Sequence, residues 1–360
     1  MSASSRKASS AVVVEFIIRA CIFAYSHYYH VNMRNSTLID MFSGAGLFSA
    51  GFLANGFESV LAVDISKEAV ASYNQNLARV AVCASITDFG PIPAADVLIA
   101  GPPCQGFSTL GRQDPLDVRN NLALEVPRWA AESGASVVVV ENVPPFLASS
   151  QWRALASALE EMGFLVESWV LDAVDYGAPQ LRRRAFTVAS KIGTIPPPRP
   201  SNVRRTAGEV LQLPVSPGDG MHIWPKPQGI AAARINIIPP RGDKRDVMRM
   251  APELCPPSWA RVGCQATDVW GRIDPSQPVN TIRCAFQNPS KGRYLHPTEN
   301  RTLSLREGAR LQGVPDSWSF VGKPYPVARQ IGNGVPIPLS CAVAVAVRDA
   351  IAAVDIPIAA

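Results

Sequence analysis

The chain has 360 residues, 47% hydrophobic and 18% charged, with a formal net charge of +5, the profile of an ordinary globular protein. It is long enough for one large domain, or a large and a smaller one, with a core that needs no covalent staples. Seven cysteines, odd in number, scattered and without a CxxC pair, exclude a disulfide framework and a structural zinc site and point to a reducing, cytoplasmic setting; the mild positive charge permits a polyanionic partner without demanding one.

Residues 1–32 read as a peripheral N-terminal extension. The apolar stretch 11–25 is interrupted by Glu15 and Arg19, falls short of the ~20 residues a membrane span needs, and shows no clear cleavage site. Met33 is the expected natural start, because an ordered strand begins only at Thr37. From there to residue 190, short apolar runs at 37–42, 59–63, 96–100, 136–141, 164–171 and 185–189 are bounded by turn or polar residues and are expected as strands. Helical patterns lie between them. The clearest spans 151–162, with Trp152, Leu155, Leu159 and Met162 on one face and Ser149 or Ser150 as cap. This alternation predicts an α/β fold with a doubly wound, mostly parallel sheet.

The texture then changes. Residues 191–280 hold 15 of the 32 prolines and 12 Lys/Arg against 7 Asp/Glu, so the excess positive charge of the chain sits in one irregular segment. A phosphate-contacting surface would look like this; so would a loop-rich insertion with solvated charges. Helical patterning resumes at 304–312, where Leu305, Ala309 and Gln312 share a face, and in a final apolar helix at 337–352.

Four blocks carry candidate chemistry. Asp40-Met41-Phe42-Ser43-Gly44-Ala45-Gly46-Leu47 is a strand running into a glycine-rich turn, where backbone N–H groups can approach a ligand. Asp64 ends the next strand, where an acid can bind ribose hydroxyls. A nicotinamide dehydrogenase would share this plan, but it wants a third glycine where Ser49 stands. Gly101-Pro102-Pro103-Cys104-Gln105-Gly106 follows the strand 96–100 and places a thiol in a rigid polar turn at the ligand-binding edge. Glu141-Asn142-Val143 ends another strand at the same edge. Gln180-Leu181-Arg182-Arg183-Arg184 precedes the strand 185–189; if extended, it puts Arg182 and Arg184 on one face, a pair suited to a carboxylate, phosphate or base carbonyl.

In this order the four blocks resemble the FxGxG, PCQ, ENV and QxRxR motifs of the C5-cytosine DNA methyltransferases of prokaryotic restriction–modification systems. Arg119-Asn120-Asn121-Leu122 matches a weaker block. Arg306-Glu307-Gly308-Ala309-Arg310-Leu311-Gln312-Gly313-Val314-Pro315-Asp316 is similar to RExARLQxFPD, and Gly332-Asn333-Gly334-Val335-Pro336 to GNxVP. The resemblance spans residues 37 to about 350 in unpermuted order.

The resemblance implies a class I, Rossmann-like fold using S-adenosylmethionine. It assigns a catalytic and cofactor-binding domain to 33–190, target recognition to 191–280, and the closing motifs, hinge helix and returning helix to 281–360. It implies catalysis by Cys104, Glu141, Arg182 and Arg184. The cofactor would lie on Phe42, Gly44, Gly46, Leu47, Asp64, Ser85, Pro103, Leu122, Asn333 and Val335. Ser85 stands where the family carries an acid for the adenine amino group, a role it would share with Asp88. No metal is implied. The partners implied are double-stranded DNA and a cognate restriction endonuclease, with a monomer sufficient and no membrane involved. The same chemistry on RNA, or a catalytically dead DNA-binding relative, are the readings that compete.

Overall fold

The structure, a computed structural model, describes residues 35–103, 118–262 and 268–355. Nine strands and eleven helices are described, interspersed with short 3₁₀ turns. The strands are β1 (Thr37–Met41), β2 (Glu58–Asp64), β3 (Ala81–Cys83), β4 (Val97–Ala100), β5 (Val137–Asn142), β6 (Leu165–Asp172), β7 (Gln180–Leu181), β8 (Arg183–Ser190) and β9 (Val279–Asn280). The helices of the first half are α1 (Leu47–Leu53), α2 (Lys67–Asn76), α3 (Val126–Ser133) and α4 (Ser150–Glu161). Those that follow β8 are α5 (Ala207–Leu211), α6 (Gly229–Ile237), α7 (Lys244–Met250), α8 (Pro257–Val262), α9 (Leu305–Leu311), α10 (Pro324–Asn333) and α11 (Ile337–Asp355).

Seven strands form one sheet in the order β3-β2-β1-β4-β5-β8-β6. Pairings from β3 to β5 are parallel, and β8 runs antiparallel to both β5 and β6. The expected mostly parallel sheet is therefore present, with one reversed strand. Both faces are covered, as parallel strands of continuous Val/Ile/Leu require. On one side Phe48 and Phe52 of α1 and Leu339, Val343 and Val347 of α11 pack on Leu38, Val97, Val137 and Phe186. On the other, Trp129 of α3 and Leu155 and Leu159 of α4 pack on Ile39, Leu98 and Val138. Helix α4 starts where Ser149 Oγ accepts the N–H of Trp152 at 3.0 Å.

A third core joins the two halves of the chain. Leu47 packs with Val210, Ile273, Ile282 and Phe286, and with α9, which is buried along its whole length. Burying a helix that carries Arg306, Glu307 and Arg310 requires partners for every charge. Arg306 Nε donates to Asp219 at 2.6 Å, Arg310 Nη2 to Asp316 at 2.5 Å, and Glu307 accepts from both Nη groups of Arg301 at 2.7 Å.

The basic segment is more regular than its composition suggests. Ile235, Ile238, Val247, Trp259, Trp270 and Leu295 form a small separate core. Beside it the buried Arg272 guanidinium donates to Ile235 O (3.1 Å) and Ile238 O (3.1 Å) at the end of α6, and to His296 O (2.8 Å), Glu299 O (2.6 Å) and Asn300 Oδ1 (2.9 Å).

Candidate active site

The ligand-binding edge of an α/β sheet is set by the carboxyl ends of its parallel strands. Here β1 runs into the glycine turn, β2 into Asp64, β4 into Gly101-Pro102-Pro103 and β5 into Glu141-Asn142. Parallel register brings all four to one edge, with Met41 opposite Val63 and Ala100, and Ala100 opposite Val140.

The turn after β1 uses three residues at positive φ: Phe42 (60°), Gly44 (53°) and Gly46 (87°). At Gly46 an added Cβ would stand 2.6 Å from Leu77 Cδ1 and 2.7 Å from Tyr73 Cδ2, whereas at Gly44 nothing lies within 4 Å. One glycine thus permits packing underneath, and the other leaves its outer face open to a ligand. Asp64 organises the turn, Oδ2 accepting from Gly44 N at 2.9 Å and Oδ1 from Ser66 N at 2.8 Å. Phe42 and Leu122 meet beside Ala84 on the α3–α4 side of the sheet. Leu47 and Val335 are buried in cores, and Gly334 has no room for a Cβ against Leu47. What these two can offer a ligand is main chain.

Under the turn lies a polar network that sequence reasoning missed. Ser49 Oγ donates to the buried Asp40 at 2.5 Å, Tyr73 OH donates to Ser49 Oγ at 3.0 Å, and Ser59 Oγ lies 2.9 Å from Tyr73 OH. Burial raises the Asp40 carboxyl to about 8, with nearby Asp64 adding to the rise against the Ser49 hydrogen bond. Ser49, noticed in the sequence only as a missing glycine, is here the partner of a buried acid. Also missed was Ile65, directly after Asp64 and 79% exposed. An apolar residue presented to solvent beside a strand-ending acid can cover a flat ring, and its place after the β2 acid was the available signal.

Ser85 is half-buried, with Oγ 2.7 Å from Thr87 Oγ1, which donates to Asp88 Oδ2 at 3.2 Å. An exposed carboxylate therefore sits one hydroxyl away from the serine.

At the next strand ends, Glu141 is 8% exposed and its Oε1 lies 2.8 Å from Nε of Arg184. The reversed strand makes this contact: β8 pairs Ala185 with Asn142 and Phe186 with Glu141, so Arg184 emerges at the same edge. The Nε–H does not point along the contact, and Oε1 accepts no directed hydrogen bond from the described residues. Asn142 Nδ2 reaches Pro102 O at 3.5 Å, tying the ends of β4 and β5 together. Cys104, expected as nucleophile, lies outside the described residues, as does the extension 1–32; Pro103 is the last described residue before Cys104.

Arg182 is not brought to Glu141 by the printed contacts. It falls at the break between β7 and β8 and is 1% exposed. Its Nη1 donates to Ile282 O at 2.9 Å, and Nη2 to Gly332 O at 3.0 Å and Asn333 O at 3.5 Å. Gln180 does similar work, donating to Gln312 Oε1 (2.7 Å) and Leu311 O (3.1 Å) and accepting from Ile282 N (2.8 Å). Two of the three polar residues in the QxRxR block therefore join strands to helices, and Arg184 alone pairs with Glu141. Asn333 is exposed at the end of α10, where its Oδ1 accepts from Cys284 Sγ at 2.7 Å.

The profile of the C-5 cytosine-specific DNA methylase family matches residues 36–211 and 258–348, most of the chain. The chain belongs to this family. Among curated relatives, the methylase is 30% identical to the type II methyltransferase M1.HphI of Haemophilus parahaemolyticus, over 94% of this chain and 93% of that one. It is 32% identical to the type II methyltransferase M.Eco47II of Escherichia coli, over 85% and 77% of the two chains. Among solved structures, the Entamoeba histolytica methyltransferase EhMeth superimposes with a TM-score of 0.63 at 13% identity, over 89% of the methylase and 99% of that chain, a likeness of fold. The methylase is thus a DNA (cytosine-5) methyltransferase of the restriction–modification type, and the RNA reading is the less supported one. Membership implies S-adenosylmethionine as cofactor. The edge fits that group: an open glycine face at Gly44, a carboxylate at Asp64 and an uncovered apolar side chain at Ile65.

Proposed function

We propose that the methylase modifies cytosine within one short sequence of double-stranded DNA, on a base flipped out of the helix, through a covalent bond from Cys104 to C6. The carrying observation is the Glu141–Arg184 pair at 2.8 Å, at the strand ends next to the turn that leads into Cys104. Cytosine C5 is a poor nucleophile because the ring is electron-poor. Thiolate addition at C6 converts C5 into an enamine-like carbon. Charge then moves onto the ring, where Glu141 holds a proton at N3 and Arg184, kept beside it, neutralises charge near O2. S-adenosylmethionine supplies the methyl group. Loss of the C5 proton then expels Cys104. Base flipping follows from the target atom being hidden in a duplex.

Phe42, Gly44, Gly46, Leu47, Asp64, Ser85, Pro103, Leu122, Asn333 and Val335 frame the cofactor in this reading, Leu47 and Val335 by main chain. Arg182 acts through Asn333 and Ile282 rather than on the base. Residues 33–190 with 281–360 carry the chemistry and 191–280 the recognition. The type II relatives support a cognate endonuclease as partner in the cytoplasm, and a monomer suffices.

Single-base mapping of 5-methylcytosine in a methylation-free bacterial host expressing the chain tests the proposal, with Cys104→Ala alongside. Methylation in one sequence context, abolished by the substitution, is expected. Methylation surviving Cys104→Ala would overturn the assigned nucleophile, and methylation without sequence context would overturn the recognition role.

A further inference from the structure

Residues 212–257 lie outside the stretches matched to the family. Features peculiar to this methylase, including its choice of sequence, are to be sought there. The most tightly held loop in this stretch is 239–243. Gly242 N donates to Pro239 O at 2.9 Å, and Gly242 has no room for a Cβ, which would stand 2.6 Å from Pro239 Cδ and Asp246 Oδ2. Arg293 Nη1 donates to the carbonyls of Arg241 and Gly242, both at 3.0 Å, and its Nη2 reaches Asp243 Oδ2 at 3.1 Å. Asp243 is buried and closes a capping box with Asp246 at the start of α7.

Inside this frame Arg241 is held at φ 63°. A residue with a Cβ adopts the left-handed region at a cost of about 1–2 kcal/mol, and such outliers persist only where their surroundings enforce them. Nothing about packing explains this one, because the Arg241 side chain is 66% exposed. Its Nε lies 3.2 Å from Asp274 Oδ2. Among the described residues its two Nη groups make no hydrogen bond. A carboxylate on the Nε side fixes the plane of the guanidinium and leaves the Nη edge presented. Parallel N–H donors on that edge match N7 and O6 of guanine in the major groove. A phosphate contact needs neither a fixed plane nor a strained backbone.

The loop is also registered to the catalytic centre. Asp274 lies shortly before β9, whose Val279 and Asn280 pair with Gln180 and Leu181 of the block that carries Arg184. Backbone hydrogen bonds from Gly208 to Pro275 O (2.8 Å) and from Ala207 to Gln277 O (2.8 Å) hold the intervening turn.

We infer that Arg241 is a specificity-determining residue, reading one guanine of the target sequence through its Nη edge, with Asp274 and Arg293 as positioning residues. The test uses the full chain, S-adenosylmethionine and duplexes of the mapped target sequence in which each guanine is replaced in turn by 7-deazaguanine, which lacks the N7 acceptor. For the wild type, one replacement slows methylation roughly 5- to 150-fold, the range for a lost bidentate base contact. Arg241→Ala is slower on the unmodified duplex by a similar factor and indifferent to that replacement. Arg241→Lys, which keeps the charge and loses the fork, behaves like Arg241→Ala. Arg249→Ala, on exposed α7 and paired only with Asp246 among the described residues, keeps the wild-type response. The inference is overturned if no guanine of the site responds in the wild type. It is equally overturned if the Arg241 variants keep the full response, or slow all duplexes alike with a reduced salt dependence, the mark of a phosphate contact.

Discussion

Two glycines of the turn after β1 predict opposite phenotypes for the same added methyl group. At Gly46 (φ 87°) the new Cβ would meet Leu77 Cδ1 at 2.6 Å and Tyr73 Cδ2 at 2.7 Å. The left-handed backbone costs alanine about 1–2 kcal/mol and overpacking adds about 1–3 kcal/mol. Tyr73 is tied to Ser49 and Ser59 and cannot swing aside without breaking that network. Gly46→Ala should therefore lose about 2–5 kcal/mol of stability. At Gly44 (φ 53°) the Cβ meets nothing within 4 Å, so Gly44→Ala bears only the backbone cost of about 1–2 kcal/mol. Its methyl group, however, fills the face through which the cofactor approaches. Affinity for S-adenosylhomocysteine should fall roughly tenfold or more, equivalent to about 1.4 kcal/mol. Urea unfolding and titration calorimetry on both variants measure the contrast. If Gly44→Ala binds the cofactor product as the wild type does, the open face is not the ligand side. If Gly46→Ala is as stable as Gly44→Ala, the steric account of the turn fails.

The Asp40 carboxyl, raised to about 8 by burial, titrates higher in the folded than in the unfolded chain. Its stabilising contribution is therefore complete below about pH 4 and lost as pH rises through about 8. Asp40→Asn should flatten the fall in stability between about pH 6 and pH 9, and urea midpoints that keep the wild-type pH slope would contradict this. Arg182→Met strands the buried carbonyls of Ile282 and Gly332 and should cost about 2–5 kcal/mol in denaturant unfolding. Arg184→Lys, by contrast, should unfold near the wild-type midpoint while single-turnover methylation slows roughly 100-fold, and similar behaviour of the two variants would argue against separating their roles. Ser85→Asp should tighten cofactor binding about fivefold through a charge-assisted hydrogen bond; calorimetry showing equal or weaker binding would place the adenine contact elsewhere, with exposed Asp88 the first alternative.

The parts of the fold written in local periodicity were legible. The expected strands at 37–42, 59–63, 96–100, 136–141, 164–171 and 185–189 differ from the observed ones by two residues or fewer at either end, and the helix expected at 151–162 is Ser150–Glu161. β3 was not foreseen, because it has three residues, two of them exposed, and no pattern can accumulate over so short a run. The direction of β8 was not legible either, since a strand buried on both faces looks the same forwards and backwards. Its reversal is what delivers Arg184 to Glu141. The expectation that Arg182 and Arg184 share a face assumed an unbroken strand, whereas Arg182 interrupts it and points into the protein, drawn by carbonyls from segments 100 to 150 residues away. Likewise α6 and α7 are short helices in a proline-rich setting, stabilised by a small tertiary core rather than by propensity.

Arg272 has a consequence for how such enzymes change their target. It belongs to the part of the chain shared with the family, yet its guanidinium grips Ile235 O and Ile238 O, in the part that is not shared. It holds the end of a helix, where bare carbonyls and the helix dipole welcome a cation whatever the side chains. The joint between conserved scaffold and private insert is therefore blind to the insert's sequence. Any segment that ends a helix at that spot could plug in, so new target preferences can arise by drift or exchange of one cassette while the chemistry behind it stays untouched.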